Sequence, residues 1–187
     1  MERSLDEILV EQCAPTLAGI KPASLFRCRA DGACPRAAVD RWRRELGPRG
    51  IAVRVLKTCP VTGACLVYLY RPAWMERLVG GAAVRSFLMG RGYDPAPGLE
   101  ALLDQLAARF CLEGDYPHEV GVFLGYPLED VEGFIRHRGR GFTACGCWKV
   151  YGDPRAARLR FDRYRRCTAR CTRRFLAGTP IAALAAG

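Results

Sequence analysis

Apolar positions recur along the chain at two spacings, and they change from one to the other several times. Ser4-x-x-Glu7 is a capping box before Ile8, Leu9 and Val10, so a helix is predicted from Leu5 to about Gln12, ending before Pro15. Residues 23–28 read as a short strand and 29–35 as a loop. Val39, Trp42 and Leu46 mark one face of a helix over 36–46, which Gly47-Pro48-Arg49-Gly50 stops. The β-branched run 51–57 and the apolar run 64–70 flank Cys59-Pro60-Val61-Thr62-Gly63, which predicts a hairpin.

Two short helices are predicted over 72–79 and 82–90, separated by Gly80-Gly81. Leu99, Leu102, Leu103, Leu106 and Phe110 form the stripe of an amphipathic helix over 99–112. Residues 118–124 read as a strand, 128–137 as a helix and 147–151 as another strand. Asp153 followed by Pro154 opens a long helix reaching about Leu176, and a short tail follows. Four or five strands alternate with helices and at least two form a hairpin. The fold class expected is mixed α/β (α+β), one domain over 1–187, with a mixed sheet flanked by helices.

The length of 187 residues is ordinary for one domain, and 50% hydrophobic content argues against disorder. No apolar run approaches the ~18 residues of a membrane span, and the acidic start Met1–Glu7 lacks a signal-peptide core. A cytoplasmic protein without membrane contact is the expectation. The ten cysteines fit a reducing compartment, where such thiols pack, ligate metals or do redox work. They lack the paired Cys-x2-Cys spacing of a structural zinc site, and most are expected to be packing residues.

Charge sharpens one region only. Of the net +10, the segment 136–174 carries 13 basic and 2 acidic residues, and the remainder is nearly neutral. In the long helix Arg155, Arg158, Arg163, Arg165, Arg166, Arg170, Arg173 and Arg174 surround Leu159, Phe161, Tyr164 and Cys167. Such a helix can bind phosphate backbones, although a solvated face is the simpler reading and nucleic acid is not the favoured partner.

Phosphate-loop, zincin and serine-elbow motifs are absent from the sequence. Three other stretches offer chemistry. Cys13 and Lys21 lie close around a helix end, where a cation would lower a thiol's pKa. His118 and Glu119 open the strand predicted over 118–124, although adjacent strand residues point to opposite faces. On a strand, Cys145, Cys147, Lys149 and Tyr151 would share one face, with Trp148 on the other.

Residues 13–26, Val67-Tyr-Leu-Tyr-Arg-Pro72, the run His118–Ile135 and Cys145-Gly-Cys-Trp-Lys-Val-Tyr151 together resemble a bacterial family known only as a domain of unknown function, common in anaerobic clostridia-like genomes. The resemblance spans almost the whole chain. It implies a cytosolic protein encoded near flavodoxins or iron-responsive genes, with a flavodoxin as a redox partner. In that family the third position of the Cys-Gly-x-Trp-Lys motif is usually aromatic, so Cys147 is a departure. No catalytic role carries over, but the resemblance adds weight to Cys13, Lys21, Arg71, His118, Glu119, Cys145, Lys149 and Tyr151.

The leading expectation is a site for a metal or a small redox-linked ligand. Cys13, His118 and Cys145 would be the metal ligands, suited to iron or zinc by their softness. Lys21, Glu119, Lys149 and Tyr151 would be the reactive groups, and Arg71, Tyr126 and Trp148 would bind the ligand. The alternatives are an enzyme with Cys13 or Cys145 as nucleophile and His118 as base, acting on an anionic substrate, and a nucleic-acid binder. The first two require Cys13, His118 and Cys145 to converge.

Overall fold

A computed structural model describes residues 3–28, 35–110 and 117–186. Three strands form its main sheet: β1 (Ala23–Cys28), β2 (Ala52–Thr58) and β3 (Cys65–Tyr70). The order is β1-β3-β2 and both pairings are antiparallel, so the expected hairpin of β2 and β3 is present. Every residue of β3 is buried, which explains its unbroken apolar run: a central strand covered on both faces has no need of polar alternation.

Side-chain alternation on β3 divides the core in two. Cys65, Val67 and Leu69 face one layer, built by α1 (Leu5–Leu17), α2 (Arg36–Leu46), the long helix α8 (Pro154–Leu176) and α9 (Ile181–Leu184). Leu66, Tyr68 and Tyr70 face the other, built by α3 (Pro72–Gly80), α4 (Ala82–Gly90), α5 (Leu99–Arg109), α6 (Val120–Phe123) and α7 (Leu128–His137). A register shift between Val55 and Lys57 leaves Leu56 as the extra residue on β2, and its side chain joins the second layer. The expected mixed α+β class is therefore observed, with the sheet between two layers of helices, but the sheet is antiparallel throughout and not the mixed sheet expected.

Several local expectations are corrected. Helix α1 runs through Pro15 to Leu17 instead of ending near Gln12. Proline costs the helix one donor, but the Pro15 carbonyl accepts from both Ile20 N and Lys21 N, at 2.9 and 3.1 Å, and so closes the helix end. Residues 118–124 form a turn and the one-turn helix α6, not a strand. Val122 N bonds Glu119 O at 3.0 Å, and Val122 and Phe123 bury into the second layer, so packing overrides β propensity. The strand expected over 147–151 is only β5 (Lys149–Val150), paired with β4 (Ala144–Cys145) in a second two-stranded sheet. The tail folds back as α9 against α1, with Ile181 and Leu184 buried. The last three residues of the helix expected over 99–112 include Phe110, which caps α5 in an extended conformation, while 111 and 112 lie outside the described residues.

Arg71, expected to bind ligand, instead ties the end of α1 to the C-terminal tail. Its guanidinium donates to Thr16 O at 2.9 Å, Leu17 O at 2.8 Å and Ala186 O at 2.9 Å. Thr16 O and Leu17 O also accept the backbone N–H groups of Gly19 and Ala186, at 3.2 and 2.9 Å, so the guanidinium adds charged donors to a joint between α1 and the tail that the backbone already makes. Replacing Arg71 by Met should lower unfolding free energy by about 2–4 kcal/mol in urea titration, because three acceptors lose a charged partner. Arg71→Lys should recover only part of it, since an ammonium cannot reproduce the planar fork. An unchanged midpoint for Arg71→Met would remove the structural role.

Candidate functional site

The motifs 117–134 and 145–149 meet at one place. The link is Asp130, a buried carboxylate in the first turn of α7. One oxygen accepts from Trp148 Nε1 at 2.6 Å, and the other from Tyr151 N and Gly152 N at 2.7 and 2.8 Å. The carboxylate thus holds the β4–β5 hairpin, and the chain entering α8, against α7. Two glycines permit this approach. A Cβ on Gly133 would lie 2.4 Å from the Tyr151 ring, and one on Gly146 2.4 Å from the Phe161 ring. Trp148 then packs edge-on against Phe161 with ring centres 4.5 Å apart.

Tyr126 completes the aromatic stack. Its ring lies 4.8 Å from that of Trp148 at 26°, and its hydroxyl donates to Cys147 O at 3.2 Å. Burial, with smaller effects from Cys147 and Tyr164, pushes its phenol up to about 12, so it stays a neutral donor. The turn that places Tyr126 needs Gly125 at φ +73°, and a Cβ there would lie 2.2 Å from Pro22. The turn is thereby seated on the start of β1.

The hairpin, α7 and the turn before α6 line a half-open cavity of about 320 Å³. Its walls include Tyr126, Phe134 and Trp148, with His118, Asp130, Cys145 and Lys149 as the polar groups. His118 meets the Phe134 ring edge-on at 5.0 Å. Lys149 donates to Gly139 O at 2.8 Å, and its ammonium lies 5.7 Å from the Phe134 ring centre. A primary ammonium has three donors, so two are left for a ligand or water. Cys145 is exposed and pairs across the hairpin with Lys149.

Five of the expected site residues are therefore brought together: Tyr126, His118, Cys145, Trp148 and Lys149. Others are not. Cys13 is fully buried in the layer of α1, α2, α8 and α9. Burial pushes its thiol up to about 12, against the lowering influence of Lys21 and a bond to Ser24. That is the setting of a packing thiol, since the reactive form is the thiolate. Cys13 is not among the residues lining the cavity of His118 and Cys145. Among the described residues, no three His, Cys, Asp or Glu side chains are grouped to hold a metal ion. The convergence of Cys13, His118 and Cys145 expected for iron or zinc is thus corrected: the helix end that carries Cys13 is core.

Glu119 is also buried elsewhere, bonded to Tyr93 Oη at 3.1 Å and Arg109 Nη1 at 3.2 Å, where it joins α6 to α5. Tyr151 stacks on His137 with centres 5.6 Å apart. Because the hairpin turns at 146–148, Cys145, Cys147, Lys149 and Tyr151 do not share one strand face. Lys21 lies 5.4 Å from the Tyr126 ring centre and lines a different cleft, together with Cys147. Sequence reasoning missed Asp130, and Phe134 reads from the sequence only as an apolar position of the helix over 128–137.

Residues 9–185 match the model of the family described as "Protein of unknown function (DUF3793)", and the chain belongs to that family. No curated protein and no solved structure matches it.

Asp130 and Cys145 should separate sharply in stability. Asp130→Ala strands three N–H donors and should cost roughly 3 kcal/mol. Cys145→Ser, at an exposed position, should stay within about 0.5 kcal/mol. Urea unfolding of the two variants checks this, and equal midpoints would remove Asp130 as the clamp.

Proposed function

We propose that this family member binds a small planar ligand bearing an acidic group, in the cavity between α7 and the β4–β5 hairpin. The observation that carries the reading is the half-open cavity of about 320 Å³ that Tyr126, Phe134 and Trp148 line together, with Lys149 and His118 at its wall. That volume is in the range of small-molecule sites, which combine apolar walls with a few placed polar groups. Aromatic walls favour a flat ring by offset or edge-on packing, worth about 0.5–1.5 kcal/mol per pair beyond burial. Lys149 supplies the charge that selects an anion, and His118 offers a ring N–H as a second donor. A redox-active ring such as a quinone is the proposed class of occupant, with a flavodoxin-like protein as the partner that would supply electrons to it.

A second reading rests on α8. Arg155, Arg158, Arg160, Arg163, Arg166 and Arg170 are exposed there, and Arg165 bonds Asp162. A helix face of this charge would bind polyanions such as nucleic acid through phosphate contacts.

Anthraquinone-2-sulfonate is a suitable probe for the first reading. It should bind saturably, quench tryptophan emission and raise the thermal midpoint. Lys149→Gln and Phe134→Ala should each weaken it by about tenfold, corresponding to ~1.4 kcal/mol. Cyclohexanesulfonate, charged but not planar, should bind at least as much more weakly. Equal binding of the two sulfonates, or of the wild type and both variants, would sink the cavity reading. For the second, retention on duplex DNA should fall steeply with salt and be lost when Arg163, Arg165 and Arg166 become Gln. Retention unaffected by those changes would exclude α8 as the polyanion surface.

A further inference from the structure

The cleft between α1 and α8 lies apart from the aromatic cavity and has a volume of about 440 Å³. Lys21 lines it, with Ser24 on β1, Cys147 on the hairpin, and Tyr164, Arg165 and Thr168 on α8. Local geometry fixes the lysine there. Gly19 at φ +69° reverses the chain after α1, and Lys21 N bonds back to Pro15 O at 3.1 Å. The side chain then rises beside the Tyr126 ring.

What surrounds the Lys21 amine is unusual for a lysine. Among the described residues it forms no ion pair. The groups that act on it electrostatically are the Cys13 and Cys147 thiols, and the ring of the neutral Tyr126 phenol lies 5.4 Å away. Tyr164 on α8 is likewise held above its ordinary pKa by burial. The two charged groups on the neighbouring helices are already engaged, Glu11 on α1 with Arg3 at 2.7 Å and Arg165 on α8 with Asp162. Burial lowers the amine's pKa, and the two thiols only partly oppose it. A desolvated lysine without a carboxylate partner is the arrangement that yields a nucleophilic amine at neutral pH.

We propose that this cleft is a second site, in which Lys21 condenses with a small aldehyde or ketone bearing an acidic group, and Arg165 holds the acid. The free amine adds to the carbonyl carbon, a C–N bond forms, and the carbonyl oxygen leaves as water with the two amine hydrogens. The product is an imine on Nζ, and no oxidant or reductant is consumed. Arg165 reaches the acid by exchanging Asp162, an exposed pairing that costs little to break. The proposal stands whether or not the aromatic cavity binds its own ligand.

The chain suits a direct test because its other lysines are only Lys57 and Lys149. The 187-residue chain is incubated with glyoxylate and cyanoborohydride near pH 7, and the reduced adducts are mapped by peptide mass spectrometry. Lys21 should be labelled about tenfold faster than either other lysine, and saturably with glyoxylate. Its labelling rate should level off at a lower pH than that of a free alkylamine in solution. Arg165→Gln should slow glyoxylate several-fold and leave propanal, which has no acid, unchanged. Lys21→Arg should remove the fast adduct while far-UV circular dichroism stays unchanged. Equal labelling of the three lysines, or an unlabelled Lys21, would overturn the proposal. Propanal reacting at Lys21 as fast as glyoxylate would overturn the acid-binding role of Arg165.

Discussion

The carboxylate of Asp130 is the constraint on which the functional end of the molecule depends. It is buried and accepts three hydrogen bonds, from the indole of Trp148 and the backbone N–H groups of Tyr151 and Gly152. A buried carboxylate survives only when its oxygens are met in this way. Satisfying it forces the hairpin onto α7, orders Trp148 between Tyr126 and Phe161, and sets the direction in which α8 begins. The two-residue strands β4 and β5 could not form a stable sheet alone. They exist because the carboxylate, the aromatic stack and two close-approach glycines hold them.

The rest of the fold rests on β3. Its two faces feed two helix layers, and Arg71, just past its end, pins the ends of α1 and of the tail. This frame also explains why Cys13 and Glu119 are structural. Each sits where a layer closes, one as a packed thiol and the other in a hydrogen-bonded contact with Tyr93 and Arg109. The hairpin end keeps His118, Cys145 and Lys149 around open space.

Periodicity made the large elements legible. The helices α2, α7 and α8, and the hairpin of β2 and β3, follow from apolar spacing together with Gly, Pro and capping residues, which act locally. The errors arise where long-range contacts decide. Val120, Val122 and Phe123 look like a strand, but the second layer takes their side chains as a turn of helix. Pro15 looks like a helix stop, but its carbonyl is useful at the helix end. The site was half legible. Trp148, Lys149, His118, Tyr126 and Cys145 carried visible chemistry, whereas Asp130 and Phe134 act through contacts across 10 or more residues that no local pattern reveals.

The most direct measurement is an aromatic and amide NMR titration of the full chain with anthraquinone-2-sulfonate. The account predicts saturable shifts concentrated on His118, Phe134, Cys145, Trp148 and Lys149, with the Arg-rich face of α8 unmoved. Shifts confined to α8, or spread evenly over the surface without saturation, would contradict it.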